Sequence, residues 1–250
     1  MFKKIKKAVS FNRAVRPKVE LTEEDIINGL RCISDKMKEL HPSRHENPVQ
    51  IIVSGGAVAV LILRIRKATD DVDYFVIDPD NNSALYDAKY AAASDPRLQG
   101  YSRKWINADM VAHILNHAGC ETLFDDSIRM NLLLFQSDFL RVYVADWRFQ
   151  LVGKIKMAFE RRTALLIELE EDPDVLAEAL ETEVNIIDAA YILNVLIDRT
   201  NNGQPLRLSA VITWYYYGAL ITDEEITHTN SFYQKIFNRP PGILRDIVIR

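Results

Sequence analysis

Cysteine is scarce in this chain: Cys32 and Cys120 are the only two among 250 residues. They form no Cys-x-x-Cys pair, so they support neither a disulfide framework nor a zinc ribbon, and a reducing compartment suits them. A long apolar run is also missing. The longest, Ala57 to Ile65, is broken by Arg64 and falls far short of the ~20 apolar residues a membrane-spanning helix needs. No secretory apolar segment stands near the start, so the expected address is cytoplasmic, with nuclear and mitochondrial left open. Neither a Gly-x-x-x-x-Gly-Lys-Ser/Thr loop nor a Gly-x-Gly-x-x-Gly turn occurs, which argues against P-loop and Rossmann nucleotide sites. Ser54 lies outside any Gly-x-Ser-x-Gly elbow, so a serine hydrolase finds no support. His113 and His117 have zinc-compatible spacing, but no His-Glu-x-x-His signature accompanies them, and they read as surface histidines.

What remains is an ordinary globular composition, 48% hydrophobic and 26% charged. A chain of this length should bury roughly 70–75% of its unfolded surface. Charge, however, is uneven. Residues 1–20 carry seven Lys/Arg against Glu20, a net +6; the whole chain is −4, so residues 21–250 carry −10. Three readings of this basic arm stay open: a solvated terminus, a contact for phosphate-rich partners such as RNA, and an organelle-targeting segment.

Hydrophobic periodicity divides the rest of the chain. Thr22 reads as the N-cap of a helix with an apolar stripe through Ile26, Leu30, Ile33, Met37 and Leu40, stopped at His41-Pro42-Ser43. Val49 to Val53 reads as a buried strand, Ser54-Gly55-Gly56 as a turn, and residues 57–66 as a buried helix. Asp71 to Ile77 reads as a second strand, closed by the turn cluster Asp78-Pro79-Asp80-Asn81-Asn82. Residues 83–118 look helical, with a break near Pro96. Ile128 to Phe135 and Phe139 to Val144 read as a strand hairpin. From Trp147 onward helices follow at 147–170, 174–199, 207–221 and 223–237. The predicted fold is therefore α/β (α+β): a basic arm 1–20, a small mixed-sheet core over 21–146, and a helical region over 147–250.

The stretch VSGGAVAVLILRIRKATDDVDYFVI, Val53 to Ile77, carries the chemistry. Strand side chains alternate faces, so Asp71 and Asp73 project from one side, about 6–7 Å apart along the chain. Two bare carboxylates in a hydrophobic run repel each other, and a cation between them relieves the cost. A divalent ion with oxygen ligands, Mg²⁺ or Mn²⁺, meets that need. Gly55-Gly56 precede a helix N-terminus, where unpaired N–H groups favour phosphate and glycine permits close approach. A phosphate-accepting turn followed by a metal-holding Asp-x-Asp strand is a recipe for a bound nucleoside triphosphate.

The order strand, Ser54-Gly55-Gly56, buried helix, Thr69-x-Asp71-x-Asp73 resembles the nucleotidyltransferase fold of beta-type polymerases. It looks most like the abortive-infection toxin nucleotidyltransferases and their eukaryotic relatives. That resemblance implies a phosphate cradle from Ser54, Gly55, Gly56 and Thr69, a triphosphate contact from Lys154 or Lys156, and an acid near the nucleotide in Asp188. It also implies a third metal-binding acid on a neighbouring strand, and the position aligned with it holds Asn131. Asp146 and Asp70 are the possible substitutes. The function expected is metal-dependent transfer of a nucleoside monophosphate from a nucleoside triphosphate to an RNA, protein or small-molecule hydroxyl. The alternative is a catalytically impaired relative that only binds nucleotide or a protein partner. Trp214 to Tyr217 could stack bases but read as core on a helix.

Overall fold

The computed structural model describes residues 20–115, 119–168 and 173–246. Of the basic arm only Glu20 falls within them, and His117 lies outside. The first elements are β1 (Leu21–Thr22) and α1 (Glu23–Leu40). Thr22 caps α1 as expected: its side chain accepts from the Asp25 amide while the Asp25 carboxylate accepts from the Thr22 amide. Ile26, Leu30, Ile33 and Met37 are fully buried along that helix, each contributing about 1.5–3 kcal/mol by leaving water. Next come β2 (Val49–Ser54), α2 (Gly56–Leu61), β3 (Ala68–Thr69), β4 (Val72–Phe75) and α3 (Pro79–Ala92). They are followed by β5 (Ile106–Asn107), α4 (Asp109–Leu115), α5 (Leu123–Met130), β6 (Leu133–Gln136) and β7 (Leu140–Val144).

β5, β4, β2, β7 and β6 lie side by side, in that order, in one mixed sheet. β2 runs parallel to β7 and antiparallel to β4; β4 runs parallel to β5, and β6 antiparallel to β7. The alternation of β2, β4 and β7 sends side chains into two cores. Ile51, Val53, Tyr74, Val142 and Val144 join the larger cluster with α1 and α3, whereas Ile52, Phe75, Tyr143 and Ala145 join a smaller one with Met110, Leu123 and Phe149. Near-continuous apolar strands follow from this two-sided burial.

Beyond the sheet stand α6 (Trp147–Glu168), α7 (Pro173–Glu181), α8 (Val184–Thr200), α9 (Leu208–Val211), α10 (Tyr215–Gly218) and α11 (Asp223–Phe237). The short strands β8 (Leu206–Arg207) and β9 (Ile243–Leu244) pair in parallel between them. The α+β class and its helical continuation thus agree with the expectation from sequence. No helix among the described residues is long and apolar enough to cross a membrane.

Six expectations are corrected. The helix expected over 174–199 is two, α7 and α8, divided at Thr182 and Glu183, and the stretch 83–118 expected to be helical contains β5. Residues 128–130 belong to α5 rather than to a strand. Leu123, Ser127 and Ile128 share a helical stripe, and Asn131 ends the helix in the left-handed conformation (φ 52°). The cluster Asp78 to Asn82 opens a helix: Asp78 caps α3 through the Asp80 amide and Pro79 takes its first turn. α2 stops at Leu61 instead of running to 66, and Arg64 turns the chain at φ 56°. The helix expected over 207–221 is two short pieces, because Tyr215 takes φ 50°.

Candidate active site

β2 and β4 bring the opening motif together. Ser54 pairs with Asp73 in the antiparallel ladder, and both point to the face shared by Ile52 and Phe75. Asp71 sits one residue before β4, after the chain leaves β3. Ser54, Gly55, Gly56, Thr69, Asp70, Asp71, Asp73 and Lys154 all line one cavity of about 510 Å³. Its far wall is α6, with Asn185 of α8 and Tyr217 of α10. That volume lies within the ~300–1,000 Å³ range of small-molecule sites.

Both glycines have steric reasons. Gly55 caps α2 at φ 75°, a conformation that side chains rarely adopt, and a Cβ there would stand 3.6 Å from Asp73 Oδ2. At Gly56 a Cβ would run into the Thr69 hydroxyl oxygen. Thr69 is thus pressed against the turn, and β3 holds it there by pairing with β1. The Ser54 hydroxyl donates to Met110 Sδ at 2.9 Å.

Burial raises the Asp73 carboxyl to about 6, and the neighbouring Asp71 carboxylate adds to the shift; the Asn107 amide and Lys154 ammonium oppose it. Asp109 also contributes to the rise. Asn107 Nδ2 donates to Asp71 Oδ2 at 3.1 Å, and its Oδ1 accepts the Asp109 amide at 2.8 Å. Asn107 pairs with Asp73 across β5 and β4, so Asp109, two residues on, reaches the same cavity wall. Sequence reading missed both residues, because a strand of two residues leaves no periodicity. The one local signal is the Trp105-Ile106-Asn107-Ala108-Asp109 pattern, apolar residues giving way to Asn-x-Asp.

Lys154 is 8% exposed. Its ammonium donates to Asn185 Oδ1 at 2.9 Å and pairs with Asp188 Oδ2 at 3.0 Å. Arg66 reaches the same carboxylate from the core side, Nη2 to Oδ2 at 2.5 Å. Asp188 is not itself part of the lining; it stands behind the wall, bound to two cations that line the cavity. Lys156 also lines the cavity, but its ammonium is bound to the fully buried Glu225 carboxylate at 2.6 Å.

Two sequence-derived candidates fall elsewhere. Asn131 is exposed at the end of α5. It leads into β6, three strand positions from β4, or roughly 14 Å at ~4.8 Å per strand. Asp146 is buried and clamped by Arg148, which donates from Nε at 3.0 Å and Nη2 at 2.9 Å. Neither belongs to the cavity lining. Trp214 packs against the larger core and Tyr215 and Tyr216 against the smaller, as expected of core aromatics, whereas Tyr217 also faces the cavity.

The donor set suits a hard divalent cation that arrives with phosphate. Among the described residues no three His, Cys, Asp or Glu side chains form a self-sufficient metal cluster. Mg²⁺ is ordinarily held by one or two carboxylates, with substrate phosphates and waters filling its octahedron. Asp71 and Asp73, one of them held above the usual carboxylate range by burial and its neighbour, provide that partial set. No protein-family model, no characterised protein and no solved structure matches the chain.

Proposed function

We propose that this protein is a metal-dependent nucleotidyltransferase. The observation carrying the reading is that Asp71, Asp73, the Gly55-Gly56 turn and Lys154 converge on one cavity of nucleotide size. The lining carries five carboxylates (Asp70, Asp71, Asp73, Asp109, Glu160) and three cations (Arg66, Lys154, Lys156), the latter already engaged by buried Asp188 and Glu225. A bare triphosphate is repelled by such a wall; one carrying Mg²⁺ or Mn²⁺ is repelled less and offers the carboxylates a cation. Asp71 and Asp73 hold the cation, and the amides of the α2 first turn, unpaired within the helix, face the phosphates. When bound, the metal neutralises phosphate charge and lowers the cost of in-line displacement at the α-phosphorus.

The chain's own residues do the rest. Lys154, fixed by Asn185 and Asp188, positions the triphosphate opposite the carboxylates. Asp109, exposed and part of the cavity lining, takes the place of the third acid that Asn131 does not fill. The acceptor oxygen bonds to the α-phosphorus, the bond to the bridging oxygen breaks, pyrophosphate leaves, and the hydroxyl proton passes to the Asp109 carboxylate. The acceptor is an RNA, protein or small-molecule hydroxyl, and a cytoplasmic setting suits the reduced cysteines.

The test is label transfer. The protein is incubated with each α-³²P-labelled triphosphate, Mg²⁺ or Mn²⁺, and pooled RNA and protein acceptors. Transfer that disappears in Asp71→Ala/Asp73→Ala and falls at least about a hundredfold in Asp109→Ala supports the reading. Nucleotide binding without transfer identifies the impaired binder instead, and transfer unaffected by the double substitution overturns the site.

A further inference from the structure

Two cavity-lining acids lie outside the metal and phosphate machinery: Asp70, which adjoins Asp71, and Glu160, which stands apart on α6. Resting on the nucleotidyl-transfer reading, we propose that Glu160 reads the nucleobase and selects guanine. α6 forms a continuous wall of the cavity, from Lys154 through Met157 to Glu160. Lys154 is near enough to act on the Asp73 carboxylate, which places the phosphates at that end of the helix. Glu160 lies six residues further along, a rise of about 9 Å, so the far end of a nucleotide extended along α6 reaches it.

That end of the cavity has a different character. Met157 is half exposed and Tyr217 contributes an aromatic ring, a combination that accepts the flat face of a base. Burial, and then the Glu160 carboxylate, push the Tyr217 hydroxyl above its ordinary range, so the two side chains are neighbours. The nearby cations are committed elsewhere: Lys156 to Glu225 at 2.6 Å and Arg162 to Glu224 at 2.8 Å. Among the described residues Glu160 forms no ion pair. Its carboxylate remains an acceptor-only group at the base end of the pocket.

An acceptor-only group discriminates among the four bases. Guanine alone presents two adjacent donors, N1–H and N2–H, which a carboxylate accepts in a two-pronged, charge-assisted pair. On adenine and cytosine the exocyclic amine lies beside a ring nitrogen lone pair, which the carboxylate repels. On uracil the single N3–H is flanked by two carbonyl oxygens. The same carboxylate that welcomes guanine therefore works against the other three.

Calorimetric titration of the full chain with GTP, ATP, CTP and UTP at saturating Mg²⁺ tests the assignment. GTP is expected to bind at least about tenfold tighter than the others. Glu160 is exposed, so Glu160→Gln keeps the fold. That variant should lose most of the GTP advantage, because a carboxamide keeps only a neutral pair with guanine N1–H and O6, and should gain for ATP, because it both donates to adenine N1 and accepts from N6. Equal affinities for all four nucleotides that still require Asp71 and Asp73 overturn the guanine inference and leave the transfer reading standing. A GTP preference that survives Glu160→Gln overturns the role of Glu160. No nucleotide binding by the unaltered protein overturns both.

Discussion

At the scale of single residues, Asp73 pays for the site. Its carboxyl is raised to about 6, first by burial and then by Asp71. An unfolded chain releases that proton near the ordinary aspartate value of about 3.9. Between those limits the native protein holds more protons than the unfolded one, so the metal-free fold loses stability as pH rises from about 4 to 6, and the loss persists above. Asp73→Asn removes the cost. The metal-free variant should therefore melt above the unaltered protein at pH 7.5, with the gap closing toward pH 4; thermal melts in EDTA across that range measure it. A variant that melts lower at pH 7.5 contradicts the placement of Asp73 beside a second carboxylate. Asp71, Asp73 and the glycines were legible in the sequence because they are contiguous with a strand and a turn. Asp109 was not, since it reaches the cavity by the pairing of Asn107 with Asp73, 34 residues away in the chain.

At the scale of elements, the site depends on how closely α2 approaches β3. A Cβ at Gly56 has no room beside the Thr69 hydroxyl and would meet Thr69 Cβ at 2.8 Å. Gly56→Ala should destabilise the fold by about 1–3 kcal/mol, as overpacking does, and chemical denaturation measures it. A neutral or stabilising effect would show that the turn and β3 are not in contact. The same elements explain which parts of the secondary structure the sequence disclosed. α1, α6, α8 and α11 carry long stripes or caps, and β2 and β7 are apolar runs bounded by turns. By contrast β1, β3 and β5 have two residues each and owe their existence to partners. The end of α5 reads as strand from sequence because apolar residues alternate with Arg129 and Asn131 before the apolar run Leu132 to Phe135, and so short a stretch does not separate helix from strand. The left-handed Asn131 between the two is the signal that divides them.

At the scale of the molecule, the core half supplies four of the five lining acids and Arg66, and the helical region supplies Lys154, Lys156, Glu160 and a wall. Asp188 of α8 joins the two halves: it is 1% exposed and receives Arg66 from the core side and Lys154 from α6. A buried carboxylate with two cationic partners is held in place by both, and removal of any one strands the others. The cavity between these halves is acidic, and on the proposed reading that charge favours a nucleotide that brings its metal with it. The most direct measurement is the affinity of the intact protein for nucleoside triphosphate with Mg²⁺ and with EDTA, repeated for Asp71→Ala/Asp73→Ala. Binding that needs Mg²⁺ and weakens at least about tenfold in the double variant is the predicted result. Binding that is indifferent to EDTA, or that the double variant retains in full, would contradict it.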